Sequence, residues 1–98
     1  METGFYLVER YLPGASGDDA VAAAERVAAA TEQLAAEGIS VRYLGSTFIP
    51  ADETCFCEFE ARSREPVEWA NERANVPFAR ILPAVRLSAH RQHGRRTR

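Results

Sequence analysis

Apolar residues recur along the first third of the chain with the periods of a strand and then of a helix. Residues 5–12 are rich in aromatic and aliphatic side chains and stop at Pro13-Gly14, which predicts a strand followed by a turn. Small apolar residues then recur three and four positions apart, which predicts a helix over 17–37, with Ser16 as its cap and Gly38 at its end. The apolar face of this helix is predicted to contain Val21, Ala24, Val27, Ala28, Thr31, Leu34 and Ala35.

The middle of the chain predicts a β-hairpin. Residues 39–49 and 54–61 both have the composition of strands, and the short loop 50–53 joins them. A four-residue loop would place Phe48 opposite Cys55, Ser46 opposite Cys57 and Leu44 opposite Phe59, all on an apolar face toward the helices. A single bulge would invert part of this register. The opposite face would carry Tyr43, Gly45, Thr47, Phe56, Glu58 and Glu60.

The last third predicts a second helix and a fourth strand. Ser63 begins the helix, which ends near Asn75, and residues 79–87 form a strand whose Pro83 favours an edge position. The order strand, helix, strand, strand, helix, strand predicts an α+β ferredoxin-like βαββαβ sandwich, with a four-stranded antiparallel sheet and both helices on one face. We expect one domain over 1–88 and a flexible Arg-rich tail over 89–98.

The uncovered sheet face is the main candidate site. Glu9 on the first strand and Glu58 and Glu60 on the third should converge there, because this fold makes those two strands central neighbours. Crowded carboxylates bind cations, and one of them could act as a general base. The alternative is ion pairing with arginine. The residues predicted to line a ligand site are Glu9, Arg42, Tyr43, Phe56 and Glu58, with Glu60 beside them.

Two further pairs of residues suit a metal. Cys55 and Cys57 lie two apart on a strand, too far for an easy disulfide, and offer two thiols to copper(I), zinc or nickel. The alternative is that both are small buried apolar residues. His90 and His93 have the spacing of one helical turn and suit nickel or zinc, but they lie in the Arg-rich tail, whose composition favours disorder.

Composition and charge limit the function classes. Hydrophobic residues make up 46 % of the 98 residues and charged residues 27 %, which is the balance of one globular domain. Residues 1–85 contain seven Arg and fourteen acidic residues, whereas 86–98 contain five Arg and no acid. Such a short basic run without aromatic residues does not favour nucleic-acid binding. We expect a cytoplasmic protein without a membrane segment, and the sequence has no phosphate loop, catalytic triad spacing or zinc-ligand quartet.

Several separated stretches resemble the domain of unknown function 4242 family. They are the runs Tyr6-Leu-Val-Glu-Arg-Tyr-Leu-Pro-Gly14, Val41-Arg-Tyr-Leu-Gly-Ser46, Asp52-Glu-Thr-Cys-Phe-Cys57 and Ala70-Asn-Glu-Arg-Ala74, followed by Pro77-Phe78. The resemblance covers about residues 5–87. It implies a ferredoxin-like fold, a homodimer and, because one member is described so, nickel binding. It assigns no metal ligands.

Three functional hypotheses follow. The first is a homodimeric binding protein that takes up nickel or another divalent transition metal, with Glu9, Glu58, Cys55, Cys57, His90 and His93 as candidate ligands. Its weakness is that residues 1–89 contain no histidine. The second is an enzyme of the dimeric α/β-barrel type, or a small-molecule binder, that acts at the open sheet face, with Glu9 or Glu58 as the base and Arg42 or Tyr43 orienting the substrate. The third is an interaction module whose basic tail contacts an acidic partner.

Overall fold

The computed structural model describes residues 2–88 of the chain. The elements follow the predicted order: β1 (Gly4–Tyr11), α1 (Gly17–Ala36), β2 (Val41–Ile49), β3 (Thr54–Ala61), α2 (Arg64–Ala74) and β4 (Arg80–Ala84), with one 3-10 turn at Pro50–Asp52 in the hairpin loop. The four strands form one antiparallel sheet in the order β2-β3-β1-β4. The α+β ferredoxin-like prediction is therefore confirmed. His90, His93 and the rest of the predicted tail lie outside the described residues.

The helix ends follow the sequence signals with one exception. Ser16 and Asp19 form the expected capping box at the start of α1, since each side chain bonds to the backbone amide of the other residue. Gly38 follows α1 with a φ of +91°, a backbone conformation that glycine adopts without strain. Ser63 stands at the start of α2, but its side chain makes no capping hydrogen bond.

One core lies between the helices and one face of the sheet. Val8, Phe59 and Ile81 contribute to it from the sheet, and Val27 and Val67 contribute from the two helices. The predicted apolar face of α1 is partly wrong. The buried residues of this helix are Ala20, Ala23, Val27, Ala30, Thr31 and Leu34, whereas Val21 is 55 % exposed and Ala35 is exposed.

The hairpin register is confirmed near the loop and is wrong beyond a bulge. Phe48 lies opposite Cys55 and Ser46 opposite Cys57, as predicted. The register shifts between Tyr43 and Gly45, so that Tyr43, and not Leu44, lies opposite Phe59. Gly45 permits this bulge, because its φ of +147° is unfavourable for a residue with a side chain. The bulge turns Tyr43 to the helix-covered face, where its ring makes an edge contact with Phe59 at 5.6 Å between centroids.

Pro83 lies in β4, which is an edge strand as predicted and, among the strands of residues 2–88, pairs only with β1. This strand is shorter than the predicted 79–87. None of the helices in the described part of the chain is long and apolar enough to cross a membrane.

Candidate functional site

The carboxylates of the open face converge as the sequence predicts. Antiparallel pairing places Glu9 opposite Phe56, Leu7 opposite Glu58, and Glu60 opposite Phe5, on the two central strands. Residues Thr47 and Gly45 of β2 face the same side, opposite Phe56 and Glu58. Tyr43 does not belong to this group, because of the bulge.

Each of these carboxylates has an arginine partner within the same chain. Glu9 Oε1 accepts a hydrogen bond from Arg80 Nε at 2.5 Å, and Glu58 Oε1 accepts one from Arg86 Nη2 at 3.2 Å. Glu60 Oε1 accepts one from Arg42 Nη2 at 2.6 Å.

Two members of these pairs have a shifted pKa. The hydrogen bond from Arg42, helped by that from Thr3, lowers the pKa of Glu60, and the hydrogen bond to Glu9 raises the pKa of Arg80. The ion-pair alternative for the carboxylates is thus what the described residues show. In each pair the arginine engages one carboxylate oxygen, so a cation that binds there would compete with a guanidinium.

The chain beyond β4 returns over the open face. Arg86 lies with its guanidinium carbon 4.9 Å from the centre of the Phe5 ring while it reaches Glu58 on β3. A groove of about 320 Å³ lies between this segment and β1. The open face is therefore partly occupied by residues 85–87, and the bare part is centred on Leu7, Phe56 and Leu82, which are half-buried.

The covered face contains an arginine that the sequence analysis did not single out. Arg10 is 1 % exposed. Its Nη1 donates to the carbonyl oxygens of Val76 at 3.1 Å and Pro77 at 3.0 Å, and its Nη2 donates to Asn71 Oδ1 and, at 3.7 Å, to Cys57 Sγ. Among the residues that the structure describes, no carboxylate forms an ion pair with this guanidinium. A buried cation is therefore held by neutral acceptors.

The two thiols belong to this covered side. Cys55 and Cys57 are free and are 3 % and 1 % exposed, as the alternative of small buried residues requires. Ser46 Oγ donates to Cys57 Sγ at 2.9 Å. Burial raises the pKa of the Cys55 thiol to about 11, and the adjacent Cys57 adds to this shift. Cys55 is therefore a neutral thiol at physiological pH.

A cleft of about 460 Å³ opens between α1 and β2, on the covered side of the sheet. Its apolar walls are formed by Ala20, Val21, Ala24 and Ala28 of α1 and by Phe48 of β2. Tyr43, Ser46 and Cys55 form its polar part, and Glu25 is its one charged lining residue within the described chain. Tyr43 OH and Ser46 Oγ lie 2.5 Å apart, and burial raises the pKa of Tyr43.

These observations can be tested against the requirements of nickel. Nickel sites are built from several nitrogen, oxygen or sulfur donors at once. Within residues 2–88 no group of three or more His, Cys, Asp or Glu side chains is placed to hold a metal ion. Cys55 and Cys57 supply two donors and have the cationic Arg10 beside them, while the open-face carboxylates are paired with arginines. The described part of a single chain does not fit the metal.

The fold and these surfaces define a small ferredoxin-like α+β protein with one open sheet face and one cleft under a helix. The chain belongs to the SCO4226-like family, described as "Nickel responsive protein SCO4226-like", whose profile matches residues 6–83. The crystal structure of SCO4226 from Streptomyces coelicolor A3(2) resembles it with a TM-score of 0.71 and 24 % sequence identity, and the alignment covers 87 % of this chain and 99 % of that one. Identity this low supports the fold alone.

The comparison with curated proteins gave no match. The label domain of unknown function 4242 is not confirmed, although the expectation of a small family described in terms of nickel agrees with the family that matches.

The structure brings together some of the predicted site residues and separates others. Glu9, Phe56, Glu58 and Arg42 share the open face as predicted, but Tyr43 lies on the other side of the sheet. Sequence reasoning missed Arg10 and Ser46 as members of a polar group. The available signal was the alternation along β1, which puts Arg10 on the same face as the buried Val8 once Glu9 is assigned to the open face.

Proposed function

We propose that this protein is a homodimeric binding protein of the nickel-responsive kind, in which the open sheet faces of two copies pack together. The observation that carries the proposal is the sheet itself: one face is covered by two helices, and the other is covered only in part within the described residues, by residues 85–87. A sheet of this kind buries its second face against a partner when that face is apolar enough.

The open face has the composition of a surface that can be buried. Leu7, Phe56 and Leu82 are half-buried apolar residues near its centre. The charged groups around them are already neutralised as ion pairs within one chain, so burial would not leave a single uncompensated charge. A chain of about 100 residues also gains stability from covering further apolar surface.

The nickel response comes to this chain from the description of its family. Because residues 2–88 of one chain provide no complete ligand set, nickel binding requires donors from a second copy or from residues 89–98. The predicted donors are Glu9 and Glu58 at the interface, together with His90 and His93. Cys55 and Cys57 are less suitable, since their thiols are buried under the helices.

The first experiment is a nickel titration of the full-length protein, in which binding is measured by calorimetry and by native mass spectrometry. We expect Ni²⁺ to bind to the dimer with a whole-number stoichiometry. The double variant Glu9→Gln/Glu58→Gln should weaken binding by about tenfold or more, which corresponds to about 1.4 kcal/mol. The matched control is Glu32→Gln/Glu72→Gln, which changes two exposed carboxylates on the helices and should leave binding unchanged.

A second variant, His90→Ala/His93→Ala, separates the two sources of ligands. If only this variant loses nickel, the metal site belongs to residues 89–98 and the interface carboxylates are not ligands. If wild-type protein binds nickel no more tightly than about 1 mM, the metal part of the proposal is wrong.

The alternative of an enzyme or a small-molecule binder at the open face is less favoured by the geometry. Glu9 and Glu58, the predicted bases, each accept a hydrogen bond from an arginine, so one oxygen of each carboxylate is already engaged within the chain. The larger cleft also lies on the opposite side of the sheet. The third alternative, a tail that binds an acidic partner, concerns residues outside the described part and stays a prediction.

A further inference from the structure

The cleft between α1 and β2 has the size and lining of a small-molecule site. Its volume of about 460 Å³ is within the range of ligand pockets, which are mostly apolar and contain a few polar groups. It lies across the sheet from the open face, so neither the proposed dimer contact nor the open-face carboxylates account for it. Its existence follows from the small side chains Ala24 and Ala28, which leave space above β2 where larger residues would close it.

The apolar walls of the cleft favour a ligand whose main part is apolar. Val21 is 55 % exposed at the rim although it is a large aliphatic residue, and Phe48 lies on the strand side. A ligand that covers Val21 would remove apolar surface from water, which stabilises the complex by about 25 cal/mol for each Å² buried.

The hydrogen bonds at the polar end determine which groups stay available to a ligand. Ser46 Oγ donates its single proton to Cys57 Sγ, so the short contact with Tyr43 requires Tyr43 to be the donor. Both hydroxyl protons are therefore used within the protein. The groups left for a ligand are oxygen lone pairs, which accept hydrogen bonds. Cys57 Sγ also accepts a hydrogen bond from Arg10 Nη2, at 3.7 Å.

The charge around the cleft also disfavours a ligand that accepts hydrogen bonds as an anion. Glu25 is acidic, and none of the residues that line the cleft within 2–88 is basic, although the chain contains twelve arginines. An anionic ligand would meet acceptor oxygens and a carboxylate without a cation to neutralise it, which is unfavourable in a partly buried site. The thiol of Cys55 is neutral and adds no negative charge there, because its pKa is raised.

From these observations we propose that the cleft between α1 and β2 binds a small, mainly apolar molecule whose polar end donates a hydrogen bond to Tyr43 and Ser46. The ligand class is an alcohol, a phenol or an amine with an aromatic or branched aliphatic body. Carboxylates and phosphates of the same shape are excluded. This site is independent of nickel and of the dimer contact.

A matched series of probes tests the proposal on the full-length protein: 1-naphthaleneethanol, 2-(1-naphthyl)ethylamine and 1-naphthaleneacetate. The three share an apolar body and differ in the head group. Binding is followed by naphthalene fluorescence and by amide chemical shifts in ¹⁵N-labelled protein. We expect the alcohol and the amine to bind at least about tenfold more tightly than the carboxylate. The largest shifts should fall on α1 and β2, near Ala24 and Ser46.

Matched substitutions on α1 locate the bound probe. Ala24→Leu fills the cleft and should weaken the binding of the alcohol by about tenfold or more, whereas Ala29→Leu, on the exposed side of the same helix, should not. Ala28→Leu serves as a second cleft variant if Ala24→Leu unfolds the protein, which circular dichroism shows. Tyr43→Phe removes the acceptor oxygen and should reduce the preference of the site for the alcohol over the carboxylate.

Three results would overturn the assignment. The site is absent if neither the alcohol nor the amine binds more tightly than about 1 mM. The proposed preference for a head group that donates a hydrogen bond is wrong if the carboxylate binds as tightly as the alcohol. The location is wrong if Ala24→Leu and Ala28→Leu bind as the wild type does, or if the largest shifts fall on the open face because the probe occupies the dimer contact.

Discussion

Glu9 and Arg10 are neighbours on β1 that point to opposite faces of the sheet, and their surroundings differ accordingly. Glu9 lies on the open face and pairs with a guanidinium, that of Arg80, which is 63 % exposed. Arg10 lies on the covered face with 1 % exposure and binds carbonyl, amide and sulfur acceptors. One face of the sheet neutralises its charges in pairs, whereas the other surrounds a single charge with dipoles.

The difference shows what each face is suited for. The ion pairs Arg42–Glu60 and Arg86–Glu58, which are largely exposed, contribute little to stability, so these contacts of the open face can change at low cost when a partner covers them. The bonds of Arg10 connect β1 to the chain that follows α2, at Val76 and Pro77, and cannot be exchanged for water without opening the core. The covered face therefore holds the fold together, and the open face is available for binding.

The largest expected effect is the loss of the buried guanidinium. Arg10→Met keeps the side-chain length but leaves two carbonyls and the Asn71 amide oxygen without their donor, and we expect it to lower the free energy of unfolding by about 3–5 kcal/mol. Arg42→Met, which removes the exposed partner of Glu60, should cost about 1 kcal/mol or less. Urea unfolding at one fixed protein concentration measures both. Equal losses would remove the distinction between the faces.

The next largest effect is a loss of stability at alkaline pH, which comes from a thiol on the covered face. The pKa of Cys55 is raised to about 11 from its ordinary value of 9.0, so the unfolded chain loses this proton first as the pH rises. The protonated Cys55 thiol therefore contributes to the free energy of unfolding fully below pH 9. This contribution is lost between pH 9 and 11, where the free energy of unfolding falls by up to about 1.4 kcal/mol per pH unit. Cys55→Ala should flatten this part of the unfolding profile. An unchanged slope would contradict the assignment to this thiol.

A smaller effect is expected from the hydroxyl that links the cleft to the core. Ser46→Ala removes the donor to Cys57 and the acceptor of Tyr43, and should cost about 0.5–1.5 kcal/mol. Thr47→Val, one residue further along β2 on the open face, is the matched control and should change stability by no more than about 0.5 kcal/mol. Thermal unfolding of the two variants makes the comparison. A larger loss for Thr47→Val would reverse the ranking of the two faces.

The smallest expected change in stability occurs at acid pH and comes from a carboxylate on the open face. The hydrogen bonds from Arg42 and Thr3 lower the pKa of Glu60 below its ordinary value of 4.5. The contribution of this carboxylate to stability is therefore present above pH 4.5 and is lost as the pH falls through the lowered pKa. Glu60→Gln should make acid unfolding slightly less steep and leave stability at pH 7 almost unchanged. Glu72→Gln on α2 is the control, and an equal change there would show that the Arg42 pair is not responsible.

The architecture could be predicted from the sequence because its signals are local. The alternation of residues in β1 and β3, the capping box at Ser16 and the position of Pro83 each depend on a few neighbouring residues. The same alternation is sufficient to predict that Glu9 and Glu58 share one face. Their arginine partners could not be assigned, since Arg80 lies 71 residues from Glu9 along the chain and Arg86 lies 28 residues from Glu58.

The parts that could not be predicted depend on single backbone choices and on contacts distant in sequence. The bulge before Gly45 moved Tyr43 to the other face, and nothing in the alternation of β2 marks Leu44 as the extra residue. The cleft likewise follows from packing: small residues on α1 permit close packing against the sheet, but Ala24 and Ala28 leave a space there. Two of the acceptors of Arg10 are backbone carbonyls 66 and 67 residues further along, which no side-chain pattern indicates.

The most direct test of the central claim is the mass of the nickel-free, full-length protein in solution, measured by sedimentation equilibrium. We expect a dimer of the 10.9 kDa chain, which Leu7→Arg on the open face converts to monomers because the substitution would bury an unpaired charge in the contact. Trp69→Arg, at an exposed apolar residue on α2, should leave the dimer intact. A monomeric wild type, or a dimer that Trp69→Arg dissociates and Leu7→Arg does not, would contradict the assignment of the open sheet face as the contact between two copies.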